Sequence, residues 1–170
     1  MKIALSFIFC LLLGLTAFGQ NRMMAESFSG TSLEGKEINL ENLRGKVVVL
    51  TFWSTRCAIC HDEIPKLNKI SAKYAAKDVM FMALTMENET KVELYLKKNP
   101  IKFTVMPNSL GVILKYADRD SNGNPNMGYP AYFIINQAGE IEHKSSGWDK
   151  INKIDSEVNR LLNSKSSKTE

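Results

Sequence analysis

The spacing of apolar and polar positions changes several times along this chain, and each change marks an element. Phe28 to Leu40 reads as a short hairpin, with Leu33-Glu34-Gly35-Lys36 as its turn and polar and apolar residues alternating over Glu37 to Leu40. After the Gly45-Lys46 break, Val47 to Trp53 is an unbroken β-branched and aromatic run, which predicts a strand buried on both faces. Cys57 to Lys77 predicts a helix, because Ile64, Leu67, Ile70, Tyr74 and Ala75 recur at three- and four-residue steps; Pro65 inside it predicts a kink. Val79 to Leu84 is a second buried strand. Thr90 to Asn99 is a second helix stopped by Pro100, and Leu110 to Tyr116 is a short third one. A polar loop, Asp118 to Gly128, leads to Tyr129-Pro130. Ala131–Asn136 and Glu140–Lys144 then form a hairpin around Gln137-Ala138-Gly139. Asp149 is expected to cap a last helix whose apolar face is Ile151, Ile154, Val158, Leu161 and Leu162.

This order, a hairpin, then βαβα, a loop with a short helix, then ββα, predicts an α/β fold. Alternating βα units imply parallel strands and the late hairpin adds antiparallel ones. The expected architecture is a mixed central β-sheet with helices on both faces and an N-terminal β-hairpin. With 170 residues, 44% hydrophobic and 24% charged, the chain suits one globular domain with a sizeable core.

The first residues do not belong to that core. Lys2 is followed by a run from Ile3 to Leu15 interrupted only by Ser6 and Gly14, and Ala17-Phe18-Gly19 supplies small residues at signal-peptidase spacing. The run is short for a membrane span. Residues 1–19 are therefore expected to be a signal peptide cleaved before Gln20, with an uncleaved N-terminal anchor as the alternative. Lipid attachment at Cys10 is disfavoured by the bulky Phe9 before it. Residues 20–163 are the expected domain and 164–170, Ser-rich and charged, a flexible tail. The expected location is periplasmic or otherwise extracytoplasmic.

Removal of Lys2 leaves 21 of the 22 basic residues against 18 acidic ones, a net charge of +3. No basic run with interleaved aromatics is present, so no nucleic-acid surface is expected. Removal of Cys10 leaves Cys57 and Cys60, two residues apart, in a protein sent to an oxidising compartment. A loop this short stabilises little as a structural bridge. A four-ligand zinc site needs two more ligands than the pair supplies, and the only histidines are His61 and His143. Redox work is the economical reading; metal binding and an inert bridge are its alternatives.

Thiol–disulfide exchange needs a thiolate, and a free cysteine near pH 7 is mostly thiol. Cys57 falls where a buried strand ends and a helix begins, so helix-end amides favour its anion. Arg56 adds a neighbouring cation, and the Cys60 thiol is one turn away. Cys57 is thus expected to attack and Cys60, less exposed, to resolve.

Phe52-Trp53-Ser54-Thr55-Arg56-Cys57-Ala58-Ile59-Cys60 resembles the strand–helix junction of the thioredoxin superfamily. Pro65 matches its helix proline, and Gly128-Tyr129-Pro130-Ala131-Tyr132-Phe133 is similar to its cis-proline loop. The hairpin and Cys60-His61-Asp62-Glu63-Ile64-Pro65 resemble the exported TlpA/ResA-like branch, over roughly residues 27–163. The resemblance implies a thioredoxin-like fold and a thiol–disulfide oxidoreductase with a redox-active disulfide Cys57-Cys60. It implies Glu63 as an acid tuning proton chemistry, against a plain helix-end acid. It further implies Trp53, Arg56, Tyr129 and Pro130 as the substrate-binding set, with Pro130 cis and the Tyr129 backbone pairing with substrate. Protein thiols or disulfides are the expected substrates, as in cytochrome c maturation, with a membrane-bound electron donor, no cofactor, no metal and a monomeric chain. Departures from thioredoxin are Arg56 in place of tryptophan, Ala58-Ile59 between the cysteines, and Thr51 where a buried aspartate stands.

Three other readings meet obstacles in the residues. A peroxiredoxin-like thiol peroxidase needs proline where Leu50 stands, although Ser54 fits. A copper-binding Sco-like protein needs a wider cysteine spacing and a late histidine. Asp118-Arg119-Asp120-Ser121-Asn122-Gly123-Asn124 opens like a calcium loop, but Tyr129 occupies the position of its bidentate glutamate, so a solvated loop is expected. His61 and His143 are expected at the surface.

Overall fold

The computed structural model describes residues 23–166. The expected signal peptide and its cleavage point lie outside the described residues, as do residues 167–170 of the expected tail.

Among the described residues nine strands and four helices follow one another. Strands β1 (Ser29–Thr31) and β2 (Glu37–Asn39) form the predicted hairpin, with Thr31 opposite Glu37. A single turn of 3-10 helix, Leu40–Leu43, leads to β3 (Val47–Phe52), every residue of which is buried. Then come α1 (Ala58–Lys73), β4 (Val79–Leu84), α2 (Glu89–Leu96), β5 (Thr104–Met106) and α3 (Leu110–Tyr116). Strands β6 (Asp118–Arg119), β7 (Pro125–Asn126), β8 (Ala131–Ile135) and β9 (Ile141–Ser146) precede α4 (Asn152–Ser166). The last helix thus runs beyond residue 163, where the tail was expected to begin.

Five strands make the central sheet in the order β5-β4-β3-β8-β9. Strands β3, β4 and β5 are parallel, while β8 and β9 are antiparallel to their neighbours. The mixed α/β, thioredoxin-like architecture expected from the sequence is therefore present. The two faces of β3 divide the core. Val48, Leu50 and Phe52 pack with Met82, Leu84 and Phe133 beneath the hairpin (Phe28, Ile38) and α3 (Val112, Ile113, Tyr116). Val47 and Val49 face Leu67 of α1 and Tyr74 just after it, and Ile154, Val158 and Leu161 of α4 with Ile151 just before it. Each such side chain removes apolar surface from water at about 25 cal/mol per Å2, so the apolar stripes hold the helices on the sheet.

Five expectations need correction. The segment before α3 contains β5, whose Val105 carbonyl accepts the Leu33 amide at 2.8 Å and so ties the hairpin turn to the sheet edge. The loop Asp118–Gly128 folds back as the β6–β7 pair, and the Asp120 carboxylate closes it by accepting the Asn122 and Asn124 amides at 2.8 and 2.9 Å. Asp149 is not a helix cap in the expected sense. It lies three residues before α4 with a φ of 59°, and its amide serves another partner. His143 is half-buried, because β9 sets it opposite the enclosed Ile134. Ala75, assigned to the apolar face of α1, is exposed, since that helix ends at Lys73.

The β8–β9 turn requires its glycine. Gly139 has a φ of 88°, and a Cβ there would stand 0.9 Å from Nη1 of Arg44, whose guanidinium donates to the Ala138 carbonyl at 2.5 Å.

Candidate active site

Register determines where the site lies. Phe52 stands opposite Leu84 on one side and Ala131 on the other, and Ala131 stands opposite Ser146. The segments leaving these four residues therefore emerge at the same end of the sheet. They are residues 53–57, 85–88, 128–130 and 147–151.

The first of them ends on Cys57, and Cys60 follows in the first turn of α1. Cys57 and Cys60 form a disulfide, with an S–S distance of 2.14 Å and Cα atoms 5.2 Å apart. Cys57 is the N-cap residue of α1, in extended conformation, and its sulfur accepts the Cys60 amide hydrogen at 3.1 Å. A sulfur in a position normally taken by a Ser or Asp oxygen receives the unsatisfied donors of a helix start, which favour a negative charge there. Cys60 is fully buried, in a cluster with Trp53, Ile64, Ala83, Val92 and Val105, whereas Cys57 is half-buried at the margin of that cluster. Burial thus separates the two sulfurs as expected. Arg56 is exposed beside Cys57, where water weakens its field.

Trp53 does not lie where a substrate-binding residue would. It is fully enclosed and packs on Tyr95, with ring centroids 5.2 Å apart, and Tyr95 in turn lies 5.2 Å from the His61 ring. Its place is behind the disulfide, supporting the loop. His61 is exposed, as expected, and its Nε2 is 2.9 Å from the Thr55 carbonyl oxygen.

Glu87 supplies a second support that no sequence signal marked. Its carboxylate accepts both the amide (2.7 Å) and the hydroxyl (2.8 Å) of Thr55, 32 residues away, and the Lys91 ammonium at 2.5 Å. Burial works to raise its pKa, but the Lys91 and Thr55 donors outweigh burial and hold it below the ordinary glutamate value. The loop before Cys57 is thereby fixed to the end of β4.

The third segment contains the cis peptide bond Tyr129-Pro130. Pro130 is buried and its carbonyl accepts the Gly147 amide at 2.9 Å; Tyr129 is half-buried and packs on the same cluster as Cys57. Burial keeps the Tyr129 phenol protonated beyond its usual range.

Glu63 is 1% exposed. It follows Cys60 by three residues, so the two share a face of α1. One carboxylate oxygen accepts the Tyr132 hydroxyl at 2.5 Å and the other the Asp149 amide at 2.8 Å. Tyr132 stands opposite Thr51, whose buried hydroxyl has no hydrogen-bond partner among the described residues. Burial, then the hydrogen bond and charge of Glu63, push the Tyr132 phenol far above its ordinary value, so it stays a donor. Glu63 is thus a strut between α1, β8 and the segment before α4. Tyr132 and Asp149 are its partners, and neither was singled out as a site residue from the sequence.

Among the described residues no group of three or more His, Cys, Asp or Glu side chains is placed to hold a metal ion.

Residues 22–144 match the AhpC/TSA family. The chain is 35% identical to the thiol-disulfide oxidoreductase ResA of Bacillus cereus over 125 residues, which covers 72% of this chain and 68% of that one. It is 26% identical to sporulation thiol-disulfide oxidoreductase A of Bacillus subtilis over 152 residues, covering 82% and 87%. A crystal structure of a thioredoxin-family thiol:disulfide interchange protein from Chlorobium tepidum superposes with a TM-score of 0.71 at 26% identity, covering 84% of this chain and 97% of that one.

Proposed function

Because the chain belongs to the AhpC/TSA family and, with its ResA-type relatives, to the thiol–disulfide oxidoreductases, we propose that it reduces disulfides of protein substrates outside the cytoplasm, using Cys57 and Cys60. The observation that carries this reading is the disulfide-bonded pair at the start of α1, with one sulfur half-buried and the other enclosed.

In the reduced protein the Cys57 thiolate attacks one sulfur of a substrate disulfide. A Cys57–substrate bond forms, and the other substrate sulfur leaves as a thiolate that takes up a proton. Cys60 gives up its proton and attacks Cys57, the mixed disulfide breaks, and the second substrate thiol departs. Two electrons and two protons pass to the substrate, and Cys57-Cys60 is left oxidised. A dithiol donor, in our reading a membrane-bound one, restores the pair by the reverse exchange. Glu63, on the same face of α1 as Cys60, is the proposed acceptor for the Cys60 proton, a task for which Thr51 has no acidic group. The Tyr129 backbone beside Pro130 is proposed to align the substrate chain, with Arg56 at the rim. The residues before the domain, 1–19, are proposed as its export signal, and cytochrome c maturation as one setting for such a reductant.

A thiol peroxidase, which an AhpC/TSA relationship also admits, is less well supported. Leu50 stands where its proline belongs, and here the second sulfur is already bonded one turn away. The direction of transfer is tested by equilibrating the purified protein with glutathione redox buffers and quantifying free thiols. A midpoint well below about −120 mV is expected; one near that value, typical of a strong oxidant, overturns the reductant reading.

A further inference from the structure

Trp148 lies in the fourth of the segments that emerge at the cysteine end of the sheet, and among the described residues it is the bulkiest of the exposed apolar side chains. Its neighbours on both sides are tied down. The Gly147 amide donates to the Pro130 carbonyl at 2.9 Å, and the Asp149 amide donates to Glu63 at 2.8 Å. Asp149 adopts a φ of 59°, a region that disfavours a residue with a Cβ. Gly147, with a φ of 85°, does so without penalty. The backbone is therefore bent twice and anchored twice to hold one side chain outward.

That side chain is 57% exposed. Lys66 Nζ stands 5.9 Å from its ring centroid, which covers part of the indole and leaves the rest to water. A single exposed leucine needs no explanation, but an anchored indole is a rigid apolar platform with few rotatable bonds to fix on contact. On the other segments at this end of the sheet, Met86, just past β4, is 49% exposed, and Ile59 and Tyr129 are half-buried. The anchor points around Trp148 are Pro130, which adjoins Tyr129, and Glu63, which follows Cys60. A polypeptide that brings a sulfur to Cys57 therefore passes this platform.

We propose that Trp148 is a specificity-determining contact, packing its open indole face against a large apolar or aromatic side chain that flanks the substrate cysteine. The inference rests on Cys57 as the attacking sulfur and adds the class of polypeptide that it prefers.

The test uses two synthetic peptide disulfides of equal charge, one with Phe and one with Gly beside the half-cystine, and oxidised glutathione as the reference substrate. For each variant the two peptide rates are divided by that variant's own glutathione rate. The wild-type protein is expected to favour the Phe peptide by about tenfold in kcat/KM, mostly through KM, the size of a desolvated aromatic contact. Trp148→Ala is expected to bring the ratio within about twofold of unity, and Trp148→Phe to keep most of it. The side chain lies largely in water, so neither variant removes core packing. A second readout is Trp emission of the Cys60→Ser protein, which should shift to the blue when the Phe peptide is trapped, with no such shift in Cys60→Ser/Trp148→Phe. A ratio equal in wild type and Trp148→Ala overturns the inference, as does unshifted emission. Absence of exchange with all three disulfides overturns instead the oxidoreductase reading on which it rests.

Discussion

The Cys57 sulfur accepts the Cys60 amide hydrogen at 3.1 Å, so the first turn of α1 is capped by the atom that is to react. A helix-start donor at that position favours the thiolate once the disulfide opens. Cys60 has no exposure from which to meet a substrate. Cys60→Ser should therefore accumulate a mixed disulfide through Cys57 in cells, visible as a higher-mass species that collapses on reduction, and Cys57→Ser should not. Equal trapping by both variants would remove the assignment of roles.

Glu63 is bonded by Tyr132 and Asp149, and both donors lose their acceptor when the carboxylate is removed. Glu63→Ala should cost about 2–4 kcal/mol in urea unfolding, since each stranded buried group costs about 1–3 kcal/mol. Glu63→Gln keeps an acceptor for the Asp149 amide and should cost less than about 1.5 kcal/mol. The glutamine variant separates support from chemistry. Its exchange rate should lose part of the pH dependence of the wild type between pH 5 and 9. Superimposable profiles would leave Glu63 as a strut alone.

Glu87 holds the loop before Cys57 through Thr55, and its pKa lies below the ordinary value in the folded protein. A depressed carboxyl pKa contributes stability that is full above about 4.5 and disappears as the pH falls through the folded value. Glu87→Gln should thus be less stable than wild type by about 1–2 kcal/mol at pH 7, with the gap closing towards pH 3. Urea midpoints at the two pH values measure this. A gap that persists at pH 3 would show that lost packing, and not the charge, is responsible.

His143 is held below the ordinary imidazole pKa of 6.5 by burial; Glu157 opposes that shift and Lys153 assists it. The folded state therefore favours the neutral ring. Its contribution is complete above pH 6.5 and is lost as the pH falls below that value through the folded pKa. The Tm of the wild type should decline between pH 6.5 and 5 more steeply than that of His143→Asn. Parallel curves would exclude this histidine as a source of acid sensitivity.

How far the sequence could be read depended on how much of each element's fate is local. Val79–Leu84 and Leu110–Tyr116 match their predicted limits, and Val47 to Phe52 is buried on both faces as its unbroken apolar run requires. At the last helix Ile154, Val158 and Leu161, with Ile151 just before its start, are enclosed at the expected spacing. Strand β5 was missed because three residues contain no period to detect; Thr104–Met106 is a strand only because β4 lies beside it. The β6–β7 pair escaped for the same reason. At the site, the cysteines, the Tyr129-Pro130 bond and Glu63 were visible because their spacing is local or matches a family pattern. Glu87 was not, since an acid between Met86 and Asn88 gives no sign that its partner is Thr55. Trp53 was placed in the substrate-binding set by the family resemblance, yet just past β3 it is enclosed in the core behind the disulfide.

Strand β3 takes one neighbour from the chain that soon follows it, β4, and the other from far downstream, β8. Synthesis runs in one direction, so both cysteines are made long before residues 128–151, which supply the opposite wall around them and the Asp149 partner of Glu63. A growing chain that has reached only β5 carries the sulfur pair with half of its surroundings missing. The full surroundings of the sulfur pair are thus assembled late, when β8 enters beside β3 and the last quarter of the chain closes over the first half.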